Sequence, residues 1–351
     1  VSTPAAPAIA LMEAPLKPRS ENCRRAASRI ASRVPVGCRG RPLGLRVAGS
    51  STLLMTTGYR RPLINSTSVD LLVVEHPTGL VQKGDVMSDL SYTVTIDKVE
   101  YTDEQLARYE YERTLHVLHE IKRLGADVRD GGRVLSHTDI NWLEPERAAQ
   151  ICLDIRASLG EEGIAELFAD VLADSDRRWK QYNEGYVTGD VHFAEIEIDV
   201  TGIGMAETMA VIGGAADQRA ALATHPEHFF IVGDITMGQR GMETFGMFGE
   251  PTAIHGVGSS DPDAVPEAMP FAPDPDYPVR IYGSGLLLSD DTDIHVGAFH
   301  QFRPRENGFR MRSTFFCPRK APRAIVDGHK LHFALEILNS VKTAHAAKQN
   351  A

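Results

Sequence analysis

The chain has 351 residues, of which 42% are hydrophobic and 24% are charged, a balance typical of folded globular proteins. Its formal net charge of −10 argues against a general nucleic-acid binder, because phosphate contacts need clustered Lys and Arg. The sequence contains no apolar run of about 18 residues, the length that predicts a membrane-spanning helix. We therefore expect a folded protein with neither nucleic acid nor membrane as a partner.

The first 54 residues differ in charge from the rest of the chain. They carry nine basic and two acidic residues, a net charge of +7, which leaves −17 for the remainder. The segment is rich in Ala, Ser and Pro and shows no apolar period, so we expect either a disordered tail or sequence upstream of the true start. Both expectations are favoured over a targeting peptide, and Met55 and Met87 are plausible starts.

The cysteines indicate the cellular compartment. None of the four occurs in a CxxC pair, and two of them lie in the basic segment; they are Cys23, Cys38, Cys152 and Cys317. Such usage is typical of a reduced protein without disulfides or a thiolate zinc site, so a cytoplasmic location is predicted.

Residues 55–185 are predicted to form a mostly helical N-terminal region. The alternating segment 91–98 predicts one strand. Apolar residues at helical spacing then predict a helix over 102–124, with Gly125 as its stop. Two more helices are predicted, over 145–160 with a proline in its first turn and over 161–182.

Residues 186–351 are predicted to form the catalytic domain. Residues 191–200 alternate apolar and acidic side chains, as in an antiparallel strand with one face in solvent. A short helix is predicted at 204–212, a loop at 258–278 and a long final helix at 324–347. Further strands are predicted at 228–236, 243–248, 279–288, 293–302 and 308–317. The whole predicts an α+β fold in which a curved antiparallel sheet surrounds the C-terminal helix and leaves a ligand cavity.

The final helix carries the first candidate site. His332 and Glu336 are four residues apart, so their side chains lie on one helix face and can converge on a divalent metal ion. His329 and Asn339 lie on the same side of this helix. A solvated His–Glu pair is the alternative, which the position of the pair beside the apolar stripe disfavours.

Two other segments could complete a metal site. His228 follows a proline turn and enters a predicted strand, from which it can point into the cavity. Glu243 and Glu250 lie in an apolar, Gly-rich hairpin, where a buried carboxylate needs a partner such as a metal ion. The alternatives are a core or surface histidine and a solvent-facing glutamate.

The order of these segments resembles the family of 2,4-diacetylphloroglucinol hydrolase and phloretin hydrolase, zinc-dependent enzymes that cleave carbon–carbon bonds. The matching stretches lie within residues 190–345 and are HPEHFF (225–230), FGMFGEP (245–251), GFRMRSTFF (308–316) and HFALEILNS (332–340). The helices of 100–183 have no counterpart in the resemblance.

The resemblance implies a Bet v 1-like helix-grip fold that holds a zinc ion. Its four ligands would be His228, Glu250, His332 and Glu336, with Glu243 as an alternative to Glu250. It implies hydrolysis of the bond between an acyl group and a phenolic ring, or of a β-diketone, by metal-activated water. The substrate would be a small aromatic or diketone compound such as an acylphloroglucinol. The chemistry also needs a proton donor, for which His255, His300, His329 and Tyr282 are candidates by residue type.

Two other functions fit the same residues. One is a non-catalytic helix-grip protein that binds an apolar ligand. The other is a non-haem iron oxygenase, because His and carboxylate ligands also suit Fe²⁺. The oligomeric state is left open, with a homodimer as one option.

Overall fold

A computed structural model describes residues 89–212, 218–233, 238–246, 251–259, 269 and 272–350. All of them belong to one unit, Leu80–Ala351. The basic segment 1–54, both candidate starts and Glu250 lie outside the described residues. Within the described ranges, no helix combines the length and the apolar character needed to cross a membrane.

Nine of the described strands pair antiparallel in one large curved sheet, in the order β2-β1-β5-β11-β10-β9-β8-β7-β6. These strands are β1 (Ser91–Ile96), β2 (Val99–Tyr101), β5 (Val191–Thr201), β6 (His228–Val232), β7 (Gln239–Thr244), β8 (Pro251–Ser259), β9 (Val279–Leu287), β10 (Asp293–Arg305) and β11 (Gly308–Pro318). A separate two-stranded ribbon consists of β3 (Arg129–Asp130) and β4 (Arg133–Val134).

The described helices precede, interrupt and follow this sheet. They are α1 (Asp103–Arg123), α2 (His137–Asn141), α3 (Pro145–Leu167), α4 (Ala169–Asn183), α5 (Met205–Ile212), α6 (Gln218–Ala223) and α7 (Arg323–Gln349). The start of α1 is fixed by a capping box, in which Thr102 and Gln105 each satisfy the other's backbone N–H. Pro145 occupies the first turn of α3, as predicted.

The interior divides into two groups of buried apolar residues. One lies between the sheet and α7 and includes Ile198, Phe315 and Leu338. The other lies where α1 and α3 meet the β6 side of the sheet and includes Ile121 and Phe229. The apolar face predicted for residues 191–200 is confirmed, since Ile196, Ile198 and Val200 are fully buried.

The α+β class, the curved antiparallel sheet and the long C-terminal helix are therefore confirmed. Helices α1 to α4 occupy the region predicted to be helical. The division at residue 185 stays a prediction; β1, from before it, pairs with β5, from after it.

Several boundaries were predicted wrongly. The helix predicted over 161–182 is interrupted at Phe168, between α3 and α4. The predicted stop of the preceding helix near Gly160 is confirmed, because Gly160 has a non-helical φ of 62° and kinks α3 there. The strand predicted at 243–248 is β7 and ends at Thr244. Strand β8 was not predicted, because its sequence of small residues and glycines lacks an apolar alternation.

Candidate metal centre

The pairing of β6 with β7 brings together the first two polar side chains of the site. His228 opens β6 and lies directly opposite Glu243 of β7 in the antiparallel register. Cross-strand neighbours point to the same face of a sheet, so the two side chains meet. Their Nε2 and Oε2 atoms are 3.7 Å apart.

Helix α7 adds the remaining side chains. The Nε2 atom of His332 lies 2.9 Å from Nε2 of His228 and 3.4 Å from Oε2 of Glu243. One turn further along the helix, Glu336 places a carboxylate oxygen within 4.8 Å of ligand atoms of both histidines. His329, one turn earlier, approaches Glu243 and His332 within the same limit. His332 thus belongs to three groups of ligand atoms that lie within 4.8 Å of one another: His228–His332–Glu336, Glu243–His329–His332 and His225–Glu227–His332.

A glycine sets the distance between β7 and α7. Gly246, two residues after β7, has φ +100°, and a Cβ placed there would lie 2.8 Å from the Cα atom of Ile325 in α7. No real side chain fits this approach without moving the backbone. The absence of a side chain therefore lets the start of α7 lie directly against the end of β7.

His228 is oriented by its own backbone surroundings. Its Nδ1 atom lies 3.2 Å from the carbonyl oxygen of Ala221 and 3.2 Å from the hydroxyl of Thr224. A proton on Nδ1 donated to that carbonyl leaves Nε2 as a lone pair directed at the centre, as in most metal-bound histidines. The buried Arg156 guanidinium donates to the carbonyls of His225 and His228 and so fixes the turn.

Burial shifts the pKa of every group in the cluster toward its uncharged form. The pKa of Glu336 rises to about 7 through burial, and that of Glu243 rises to about 8 through burial and repulsion by Glu336 and Glu227. Burial lowers the pKa of His228 to about 4 and that of His332 well below its usual value. Neutral imidazole is the form that binds a metal ion, and a divalent cation would let the adjacent carboxyls ionise. The cluster could therefore hold a metal ion.

A cavity of about 360 Å³ opens beside these groups. Its polar wall contains His228, Glu243, His329 and Glu336, and its apolar wall includes Ile231, Met242, Phe245, Phe315 and Phe333. A cavity of this size and polarity suits a small, largely apolar ligand with one polar end at the histidine and glutamate side chains.

Of the three predicted catalytic residues in the sheet, only His300 lines this cavity. Its Nδ1 atom lies 2.6 Å from the Ser313 hydroxyl, and burial lowers its pKa to about 4. His255 and Tyr282 lie outside the lining, and His255 is 38% exposed with Nδ1 3.5 Å from Asp291. Side chains alternate along a strand, and the neighbours of these two residues, Ile254 and Ile281, face the cavity instead, so a catalytic role for His255 and Tyr282 stays a prediction that the cavity lining does not support.

The predicted ligands are brought together in part. His228, His332 and Glu336 converge, and Glu243 occupies the position for which it was named as a rival to Glu250. Glu250 lies outside the described residues.

Sequence reasoning missed the buried polar residues behind the ligands: His225, Glu227 and Arg113. One signal for Arg113 was present, because it continues the buried helical spacing of Leu106 and Tyr109 on α1. A charge at such a position requires a buried partner.

No protein-family profile matches the chain, and no curated protein matches it.

Proposed function

We propose that this chain is a divalent-metal-dependent hydrolase that cleaves a carbon–carbon bond of an acylphenol or β-diketone substrate. The metal would be zinc, held by His228, Glu243, His332 and Glu336. One observation carries the proposal. The Nε2 atoms of His228 and His332 and the Glu243 carboxylate lie within 3.7 Å of one another at the wall of an apolar cavity.

The shape of the protein supports the same proposal. A curved antiparallel sheet against one long helix is what a Bet v 1-like helix-grip fold requires, and we propose that assignment for the described sheet and α7. The resemblance to the 2,4-diacetylphloroglucinol and phloretin hydrolases rests on motifs that include two of the proposed ligand-bearing segments, at 225–230 and 332–340.

The overall reaction adds one water molecule across the bond between the acyl carbon and the ring carbon. The new C–O bond forms at the acyl carbon, the C–C bond breaks with its electrons on the ring, and the ring carbon takes a proton. A carboxylic acid and a phenol result. A bound zinc ion would supply Lewis-acid polarisation and a lowered pKa for water, toward ~7.

The residues of this chain would do the rest. The Phe and Met side chains of the cavity exclude water from the ring and orient it. His300, with Nδ1 bound to Ser313, is left with Nε2 for a substrate hydroxyl or carbonyl. His329 lines the cavity beside the ligands and is the second candidate for moving a proton to the ring carbon.

Metal analysis of the purified protein, combined with an assay on an acylphloroglucinol, tests the proposal. We expect one zinc per chain and release of equal amounts of carboxylic acid and phloroglucinol. We expect Glu243→Gln and His332→Ala to lose both metal and activity. Glu250→Gln is the matched comparison, and it would keep both if Glu243 is the ligand.

Other outcomes would assign one of the competing functions. Bound iron with oxygen consumption would replace hydrolysis by oxygenation. A wild-type protein that binds no divalent metal, and whose affinity for an apolar ligand does not change in His332→Ala, would be a binding protein without catalysis.

A further inference from the structure

Two buried polar atoms face each other behind the candidate ligand His332. The Nδ1 atom of His332 lies 4.0 Å from Oε2 of Glu227. Neither atom makes a hydrogen bond with the described residues. Burial raises the pKa of the Glu227 carboxyl to about 7, and Arg113 and the Thr244 hydroxyl oppose that rise. Buried polar atoms without partners are rare in native proteins, so this pair calls for an explanation.

Glu227 is held from its other side by a second buried charge. Its Oε1 atom accepts from the Arg113 guanidinium of α1, and the exposed fractions of the two side chains are 0% and 1%. An arginine keeps its charge in proteins. The ionised form of Glu227 is therefore the one that leaves the buried pair without a net charge.

The position of Glu227 behind the ring argues against its being a metal ligand. The Nε2 atom of His332 points to His228 and Glu243, whereas Nδ1, on the other side of the ring, points to Glu227. One ion cannot contact both nitrogens of a single imidazole. A second cation beside Glu227 would also be repelled by Arg113.

His225 restricts the ring in the remaining direction. Its imidazole stacks on that of His332 with centroids 3.6 Å apart and planes 19° apart. The same imidazole accepts the backbone N–H of Glu227 at Nδ1, 3.1 Å away. The turn that carries His228 into the centre therefore also positions the carboxylate behind His332.

We propose that Glu227 and Arg113 are positioning residues of the metal centre, with Glu227 accepting the Nδ1–H of His332 so that Nε2 is presented to the ion. This inference rests on the proposed function for the existence of a bound metal. Metal-bound histidines commonly donate their second N–H to a carboxylate, which fixes the ring and raises its basicity. On metal binding, the 4.0 Å separation would close to a hydrogen bond.

The test measures metal affinity in variants of the full chain. Zinc dissociation constants are determined by competition with a chelator for the wild type, Glu227→Gln, Glu227→Asp and Arg113→Lys. Loss of an outer partner weakens metal binding by roughly 10- to 100-fold. We expect Glu227→Gln to show that loss and Glu227→Asp, which keeps the carboxylate, to restore part of it.

A matched control separates positioning from general destabilisation. Glu120→Gln makes the same chemical change at a buried carboxylate of α1, which lies 3.8 Å from His116 and 3.7 Å from Arg123. We expect its zinc affinity to equal that of the wild type. The visible absorption spectrum of the protein saturated with Co²⁺ should shift in Glu227→Gln and not in Glu120→Gln, because only the first changes a ligand's basicity.

The failures of the two proposals are distinguishable. If the wild type binds neither zinc nor cobalt, the proposed function and this inference both fall. If the wild type binds zinc, and folded Glu227→Gln binds it equally tightly with an unchanged cobalt spectrum, the metal site stands and the role of Glu227 is rejected. Weakened zinc binding with no spectral shift would also reject it, in favour of a purely structural role.

Discussion

The two halves of helix α7 face different surroundings. From Ile337 onward, its buried residues are mainly apolar, and they pack with strands β5 and β11 in one core. Before that point, His329, His332 and Glu336 extend into a cluster of histidines and glutamates beside β6 and β7. One helix thus joins a core of ordinary apolar contacts to a group of buried ionisable residues.

The difference predicts which half of the helix a bound metal ion would stabilise. Burial of apolar surface is enough to stabilise the apolar half, from Ile337 onward. In the polar half, which precedes Ile337, burial opposes the charged form of each ionisable group, and unpaired polar atoms are costly to bury. We therefore expect the polar half to gain stability from a bound cation and the apolar half to be indifferent to it.

The largest expected effect is at His332. Zinc at about 100-fold excess over its dissociation constant should stabilise the wild type by about 2.7 kcal/mol and raise the unfolding midpoint by about 4–5 °C. His332→Ala should abolish that rise, because it removes a ligand shared by all three groups of neighbouring ligand atoms. Thermal unfolding with and without zinc measures this rise in both proteins. An equal rise in His332→Ala would show that the polar half of α7 does not bind the ion.

A substitution in the apolar half should have the opposite pattern. Leu338 is fully buried in the core beneath the sheet, so Leu338→Ala should lower the free energy of unfolding by about 2–5 kcal/mol. Its zinc stoichiometry should stay that of the wild type. Urea unfolding and metal analysis check both, with Val257→Ala, at a 45% exposed position, as the control. Loss of zinc in Leu338→Ala would show that packing in the apolar half of α7 also determines metal binding in the polar half.

The free energy of unfolding of the metal-free protein should depend on pH through the buried ionisable groups around the cavity, and not through the apolar core. Burial lowers the pKa of His300 to about 4, so its neutral form is favoured in the folded state. The resulting stability is present above the ordinary pKa of about 6.5 and is lost as the pH falls toward 4. Between pH 7 and 5 this amounts to roughly 1–2 kcal/mol.

We expect His300→Gln to remove that part of the pH dependence, as measured by urea unfolding of both proteins at the two pH values. Glutamine can still hydrogen-bond to Ser313, so the comparison isolates the titration. Parallel losses of stability in the wild type and the variant would exclude His300 as its source.

The smallest effect should come from an exposed ion pair. Arg108 and Glu112 lie four residues apart on α1, 2.9 Å from each other, with side chains 81% and 50% exposed. Arg108→Ala should change the free energy of unfolding by less than about 0.5 kcal/mol, since solvent screens such pairs. A larger change in urea unfolding would mean that surface charge also supports the polar half.

Local patterns made much of the fold predictable. The acidic and apolar alternation of 191–200 and the apolar stripe of the last helix each identified an element directly. Strand β8 was not predicted from the sequence, because its glycines and small residues show no apolar alternation. Its backbone hydrogen bonds with β7 and β9 hold it in the sheet.

The site was predictable only where chemistry follows spacing along one element. His332 and Glu336 could be paired because a helix turn joins them. The opposition of His228 to Glu243 depends on strand register, and β7 lies a few residues earlier than predicted. The ion pair of Arg113 with Glu227 joins residues 114 positions apart, and no local pattern encodes it.

The close approach at Gly246 has a consequence for how such a centre can be tuned. Glu243 is on β7 and His332 is on α7, and Gly246 and Ile325 are where these two elements approach each other most tightly for an added Cβ. A methyl group added at Gly246 would push the start of α7 away from β7, and we expect the distance between Glu243 and His332 to grow without any change in the identity of the ligands. Selectivity between smaller and larger ions could thus change through a position that never touches the metal.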